Sequence, residues 1–323
     1  MVRALTNRGW LRATLTTSPF SSPSAAVTAR RTYASMGQRL AYDLHEPARP
    51  RADERTRPIL FLHGLFGAKK NNRGISKALA RDLGRFVYAL DLRNHGDSPH
   101  DPRHDYEAMA DDVTEFIRHH GLKDSTIIGH SMGAKAAMTL ALRSPELLSD
   151  IVSVDNAPTD KVLGRAFAGY VRAMKRVDEA GVSRLADADA ILAEVEDSLP
   201  VRQFLLGNLY REKTSSPSGS SSSSSGGNTS TTLRFRIPLD ILSKSLDHMG
   251  DFPHRDPSAA RFEKPALFVR GTRSTYVPDD VLPLVGQFFP RFRLADVDAG
   301  HWLISEKPEE FRRAVVEFLE PAD

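Results

Sequence analysis

Hydrophobic positions recur along this chain with two different spacings. Residues 40–44 alternate apolar and polar positions, the rhythm of a half-buried edge strand. Residues 58–62 are a continuous apolar run ending in His63-Gly64, as expected of a strand buried on both faces of a parallel sheet. Residues 86–90, 125–128, 151–154, 266–269 and 292–297 supply five more strands. Between them the spacing lengthens. Ile75, Leu79 and Leu83 recur every four residues and Gly84 stops that helix; Met109, Val113, Phe116 and Ile117 form a second helical stripe closed by Gly121. Helices are also expected over the alanine-rich residues 134–142, over 279–288, and from Pro308 onward, with Phe311, Val315 and Phe318 on one side.

Strands and helices alternating through short connections predict an α/β fold with a doubly wound, mostly parallel sheet. The alternation fails over residues 157–255, where 162–177, 191–196, 201–209 and 239–246 read as helical. This predicts a helical cap inserted over the carboxyl ends of the strands, where open α/β sheets bind ligands. The core is then split into residues 34–156 and 256–323. Within the cap, residues 213–232 are so rich in serine, glycine and threonine that they bury too little apolar surface to order themselves, and a flexible loop is expected there.

Charge changes this picture only at the start of the chain. Residues 1–33 hold five arginines (Arg3, Arg8, Arg12, Arg30, Arg31) and no acid. Without them 39 basic residues face 41 acidic ones, so the body gives no reason to expect nucleic-acid binding. A leader rich in Arg, Ser, Thr and Ala and free of acids predicts mitochondrial import, with Arg31-Thr32-Tyr33 placing the cut after Tyr33. No run of eighteen apolar residues occurs, so no transmembrane helix is expected. The absence of cysteine excludes disulfides, thiolate metal sites and cysteine catalysis.

The candidate chemistry starts at Gly129-His130-Ser131-Met132-Gly133, between an apolar run and an alanine-rich helix. That is the setting of a G-x-S-x-G nucleophile elbow, in which glycines permit a sharp strand-to-helix turn and the serine sits at a helix N-terminus. An elbow serine needs a base, an acid that orients it, and donors for the oxyanion. Of eleven histidines, His301 follows the last strand and is taken as the base; His130 should point away from Ser131, while His63 and His95 belong to turns after earlier strands. The loop after the penultimate strand, residues 270–278, lacks a carboxylate and has Ser274 and Thr275 in its place. Asp155, ending the strand after the nucleophile strand, is therefore the first candidate acid, with Asp279, Asp280 and Asp247 as alternatives. The oxyanion donors are expected to be the backbone N–H of Met132 and that of Leu65, with Phe66 the other choice for the second. Residues 64–69 miss the phosphate-loop pattern. Residues 100–105 carry metal-capable side chains, but Pro102 and Arg103 suggest a solvated loop, and no metal or cofactor is expected.

Four stretches together resemble one branch of the α/β-hydrolases: residues 63–71 (HGLFGAKKN), 91–100 (DLRNHGDSPH), 129–133 (GHSMG) and 299–302 (AGHW). The branch holds the mitochondrial abhydrolase-domain proteins numbered eleven, the fungal ethanol acetyltransferases and related small bacterial esterases. The resemblance covers residues 38–323 apart from the serine-rich loop, and it implies an acid at Asp155. The run from Asp91 to Ser98 reads as a tight structural turn after its strand, with catalytic participation by His95 or Asp97 the alternative. Small acyl esters or acyl thioesters are the implied substrates, with water or an alcohol accepting the acyl group. Hydrolysis is the expected activity. Alcohol acetylation, with acetyl-CoA as donor, is the alternative, and a non-catalytic interaction module on the same scaffold is a third reading.

Overall fold

The computed structural model describes residues 40–49, 57–161, 163–214 and 230–320. Seven strands form the central sheet: β1 (Tyr42–His45), β2 (Ile59–Leu62), β3 (Val87–Leu90), β4 (Ser125–His130), β5 (Leu148–Val154), β8 (Ala266–Gly271) and β9 (Phe292–Val297). Their order is β1-β3-β2-β4-β5-β8-β9. Only β1 runs antiparallel, against β3 at the edge; the other pairings are parallel.

Both faces of this sheet are covered, and the strand sequences show why. In β2, Leu60 and Leu62 enter one core while Ile59 and Phe61 enter the other. A period of two with apolar residues on both faces gives a strand that cannot sit against water. On one face pack α2 (Tyr106–His119), α3 (Met132–Arg143) and α8 (Leu282–Phe288). On the other lie α1 (Arg73–Leu83) and α10 (Pro308–Leu319), through Ile75, Leu79, Phe311 and Val315. Asp105 caps α2 by accepting from Ala108 N at 2.8 Å, and a left-handed Gly84 ends α1.

The chain turns one way from β2 to β3 and the other way from β4 to β5, so the strand order reverses between β2 and β4. At such a switch point the loops at the carboxyl ends of the strands diverge and leave a crevice. The loop after β2 and the turn after β4 flank it.

Between β5 and β8 the chain forms α4 (Arg165–Ala180), α5 (Leu185–Ala193), α6 (Leu199–Leu206), a hairpin of β6 (Leu209–Thr214) and β7 (Ser230–Phe235), and α7 (Leu239–Ser245). The hairpin departs from the expectation of a mostly helical cap. Its second strand alternates, with Leu233 and Phe235 buried, and this period of two is masked in sequence by the adjoining serine tract. Lys213 and Thr214 pair with Thr231 and Ser230, so both edges of the expected loop are strand; the serine-rich run 215–229 lies outside the described residues. The leader and the cut after Tyr33 also lie outside them. Two smaller departures concern turns. Residues 279–281 form a 3-10 turn before α8 rather than its first turn. His104, expected in a solvated loop, is buried and bonded to Asn94 at 3.2 Å. No helix among the described residues is long and apolar enough to cross a membrane.

Candidate active site

The elbow is built from close backbone approaches. A Cβ at Gly129 would lie 2.2 Å from Gly133 O, and one at Gly133 would lie 2.5 Å from Leu62 O. Both are far inside van der Waals contact with backbone that cannot retreat, so any side chain there would push α3 off the sheet. Between them Ser131 adopts φ 54° and ψ −111°, a strained conformation for a residue with a Cβ. The strain is held by the tip of β5: Ser131 N donates to Val154 O at 2.9 Å, and Asn156 Nδ2 donates to Ser131 O at 3.1 Å.

Three strand tips converge on this turn. His301, past β9, places Nε2 2.9 Å from Ser131 Oγ. Its Nδ1 lies 2.6 Å from Asp155 Oδ2 at the end of β5. Asp155 is fully buried and accepts two further hydrogen bonds, from Gly271 N at 3.1 Å and from Ser274 Oγ at 2.5 Å. Ser274, noted in sequence only because it stands where a carboxylate was expected, thus donates to the carboxylate that stands elsewhere. Tyr276 stacks on the imidazole of His301, with ring centroids 4.1 Å apart and planes 20° from parallel. The ring of His130 donates from Nε2 to the backbone O of His301 at 2.8 Å. Burial pushes the pKa of His130 down to about 4, and the nearby His301 acts in the same direction. The alternative acids lie apart: Asp279 pairs with Arg270 at 2.6 Å, and Asp247 and Asp280 are exposed.

The loop after β2 carries the other half of the site. Phe66 has φ 62°, rare for a bulky side chain, and hydrogen bonds on both its backbone N–H and its carbonyl hold it. Its N–H donates to His95 Nε2 at 3.0 Å, His95 Nδ1 donates to Arg93 O at 3.0 Å, and Asn208 Nδ2, from the cap, donates to Phe66 O at 2.8 Å. Beside it Lys70 Nζ donates to Gly207 O, also in the cap. With the Phe66 N–H taken by His95, the amides of Leu65 and Met132 remain without an acceptor among the described residues. His95 was read in sequence as part of a structural turn. It is a neutral imidazole, its pKa held well below the usual range by burial, and it acts on this loop rather than on Ser131. In the same turn Asp91 accepts from Lys69 N, Lys69 Nζ and Asp97 N, at 2.6, 2.6 and 2.8 Å.

Ser131 lines one small space, and a larger one lies beyond its neighbours Gly64 and His130. A slot of about 10 Å³, room for roughly one water, is lined by Leu65, Ser131, Met132, Phe167 and Tyr276, with Lys135 and Lys161 also at its walls. Lys135 Nζ donates to Gly250 O at 2.6 Å and Asp251 O at 3.0 Å; burial lowers its pKa to about 8. Nothing in sequence singles out either lysine: Lys135 is buried in an alanine-rich helix and Lys161 lies in a loop. The second space is a groove of about 670 Å³ between α6 and the loops after β2 and β9.

The sequence profile of proteins with the alpha/beta hydrolase fold matches residues 57–308. A protein named "Probable alcohol acetyltransferase" from Saccharomyces cerevisiae is 44% identical over 272 residues, 81% of this chain and 77% of that protein. The sn-1-specific diacylglycerol lipase ABHD11 of Xenopus tropicalis is 35% identical over 304 residues, 92% of this chain and 86% of its own length. Among solved structures, a marine microorganism esterase matches with a TM-score of 0.75 at 29% identity, over 87% of this chain and 100% of that one.

Proposed function

This chain belongs to the α/β-hydrolase fold family and is an enzyme of that family, and from that premise we propose that Ser131, His301 and Asp155 carry out acyl transfer from small esters or thioesters. The observation that carries this reading is the unbroken chain from Ser131 Oγ through both nitrogens of His301 to a buried carboxylate. In the reaction His301 Nε2 takes the proton of Ser131 as Oγ attacks the carbonyl carbon. Asp155 holds the proton on Nδ1, fixing the tautomer, and stabilises the imidazolium that forms. The free amides of Leu65 and Met132 receive the oxyanion, each worth roughly 3 kcal/mol of barrier lowering. The leaving alcohol or thiol departs with the proton from His301, and a second nucleophile releases the acyl group by the reverse sequence.

Water in that second role makes the enzyme a hydrolase of short acyl esters or thioesters, the reading we favour. An alcohol in that role makes it an acetyltransferase with acetyl-CoA as a donor; the similarity to the yeast protein named for that activity supports this second reading. We also read residues 1–33 as a mitochondrial import leader, on their arginine content and lack of acids.

One experiment addresses the main reading. A fluorophosphonate probe should label the protein at Ser131, and Ser131→Ala should abolish both labelling and release of acid from a short acyl ester. Failure of the parent protein to label would sink it. Adding ethanol to the same assay separates the two acceptors: ethyl ester rising at the expense of free acid identifies the acyltransferase.

A further inference from the structure

The slot at Ser131 and the groove beyond Gly64, His130 and Trp302 differ too much in size to serve the same half of an ester. The slot adjoins Leu65 and Met132, whose amides face the carbonyl oxygen in the reading above, and it holds no more than a very small acyl group. The groove lies against the other side of the site. Its inner wall is Gly64, His130 and Trp302: a Cβ at Gly64 would lie 3.3 Å from Ser131 Cβ, the His130 ring is 5.0 Å from that of His301, and Trp302 follows His301 directly. The leaving oxygen must lie where His301 Nε2 hands it a proton, so a group attached to that oxygen extends toward this wall.

The groove's chemistry narrows what that group is. Ile75, Pro200, Val201, Phe204 and Ile304 supply apolar surface from both the core and α6. No lysine or arginine lines it among the described residues. Glu306, its one charged lining residue, already accepts from Gly300 N at 3.0 Å and Arg273 Nη2 at 3.2 Å. Phosphates would find no cation there, whereas a neutral hydrocarbon would remove apolar surface from water. Its volume is within the range of sites that enclose a small organic molecule.

Resting on the acyl-transfer reading, we infer that the groove is the alcohol subsite and that the enzyme takes short acyl esters of bulky, neutral, apolar alcohols. In that reaction the Ser131 Oγ–acyl bond forms, the bond from the acyl carbon to the alcohol oxygen breaks, and the alcohol leaves through the groove with the proton from His301.

Gly74 gives a clean test. It lines the groove near the start of α1, it is exposed, and a Cβ there would meet nothing within 4 Å. The Cβ of Gly74→Trp therefore displaces no packed atom, and its indole is placed at the groove's rim to obstruct it. The substrates are ethyl acetate and 2-(2-naphthyl)ethyl acetate, two acetates of primary alcohols with comparable leaving ability, and methyl octanoate, which moves the bulk to the acyl side. The parent should prefer the naphthylethyl ester to ethyl acetate by roughly tenfold or more in kcat/KM. Gly74→Trp should erase that preference through KM, lowering kcat/KM on the naphthylethyl ester roughly tenfold more than on ethyl acetate. Equal loss on both acetates, no loss on either, or loss confined to methyl octanoate would each overturn the inference while leaving the catalytic reading intact. A parent that turns over none of the three esters removes both.

Discussion

Replacing Asp155 by Asn tests the acid with little disturbance of the fold. The residue sits at φ 50°, and Asn is among the side chains that tolerate that region best. The new amide keeps its oxygen for Gly271 N, but its NH₂ takes the place of Oδ2, so that Ser274 Oγ must turn to accept and His301 Nδ1 faces a donor. That nitrogen must then accept, so the proton moves to Nε2, where it points at Ser131 Oγ and blocks its deprotonation. Charge adds to the loss. An imidazolium and a carboxylate whose charge centres are about 4 Å apart attract by about 4 kcal/mol at an effective dielectric constant near 20, roughly a thousandfold in rate. With the tautomer effect the expected fall in kcat is about 10⁴, or about 5.4 kcal/mol. The assay is initial-rate hydrolysis of p-nitrophenyl acetate, with thermal melting to check folding. Asp279→Asn and Asp280→Asn should stay within about twofold of the parent. A folded Asp155→Asn enzyme keeping more than about a tenth of parental kcat would refute the assignment, as would a collapse of activity in either control.

Three further outcomes are expected. His95→Ala should lower kcat by roughly ten- to a hundredfold with little change in KM, because the unsatisfied Phe66 N–H (a loss of about 1–3 kcal/mol) frees the loop that aims the Leu65 amide; steady-state kinetics on one ester suffices. Ser131→Gly should melt higher than Ser131→Ala, since only glycine relieves a φ of 54°, with strain of this kind costing about 1–3 kcal/mol; calorimetry compares the two inactive variants. Stability should fall steeply in mild acid. His95, His104 and His130 all have folded-state pKa values pushed below the ordinary 6.5 by burial, to about 3 for His104 and about 4 for His130. Between those values and 6.5 the unfolded chain binds more protons than the folded one, so stability drops as pH falls through that window. The slope should reach about 4 kcal/mol per pH unit from the three together, which urea titrations between pH 7 and pH 4.5 would measure.

Much of the fold was legible because the strands are apolar on both faces and the helices on one, a contrast that survives in any window of the sequence. The nucleophile elbow was legible for another reason: its glycines are imposed by backbone so close that a Cβ would lie 2.2 and 2.5 Å from carbonyl oxygens. The position of Asp155 followed from a carboxylate missing elsewhere. Less local features were hidden. The β6–β7 hairpin has two six-residue strands, and a polar tract separates them in sequence. The tasks of Ser274, His95 and Asn208 each depend on a partner 119, 29 or 142 residues away. The stretch around His95 is marked by its resemblance but not its task, and Ser274 and Asn208 meet their partners only through the folding of the sheet and of the inserted segment.

Asn208 carries a consequence for anyone who would re-engineer this enzyme. Exchanging the inserted segment for another is an obvious way to seek new selectivity, yet here that segment braces Phe66 and so sets the angle of the adjoining amide. A graft that reshapes the pocket but omits this strut would also slow the chemical step. Taste and speed are wired through the same side chain, and they would have to be retuned together.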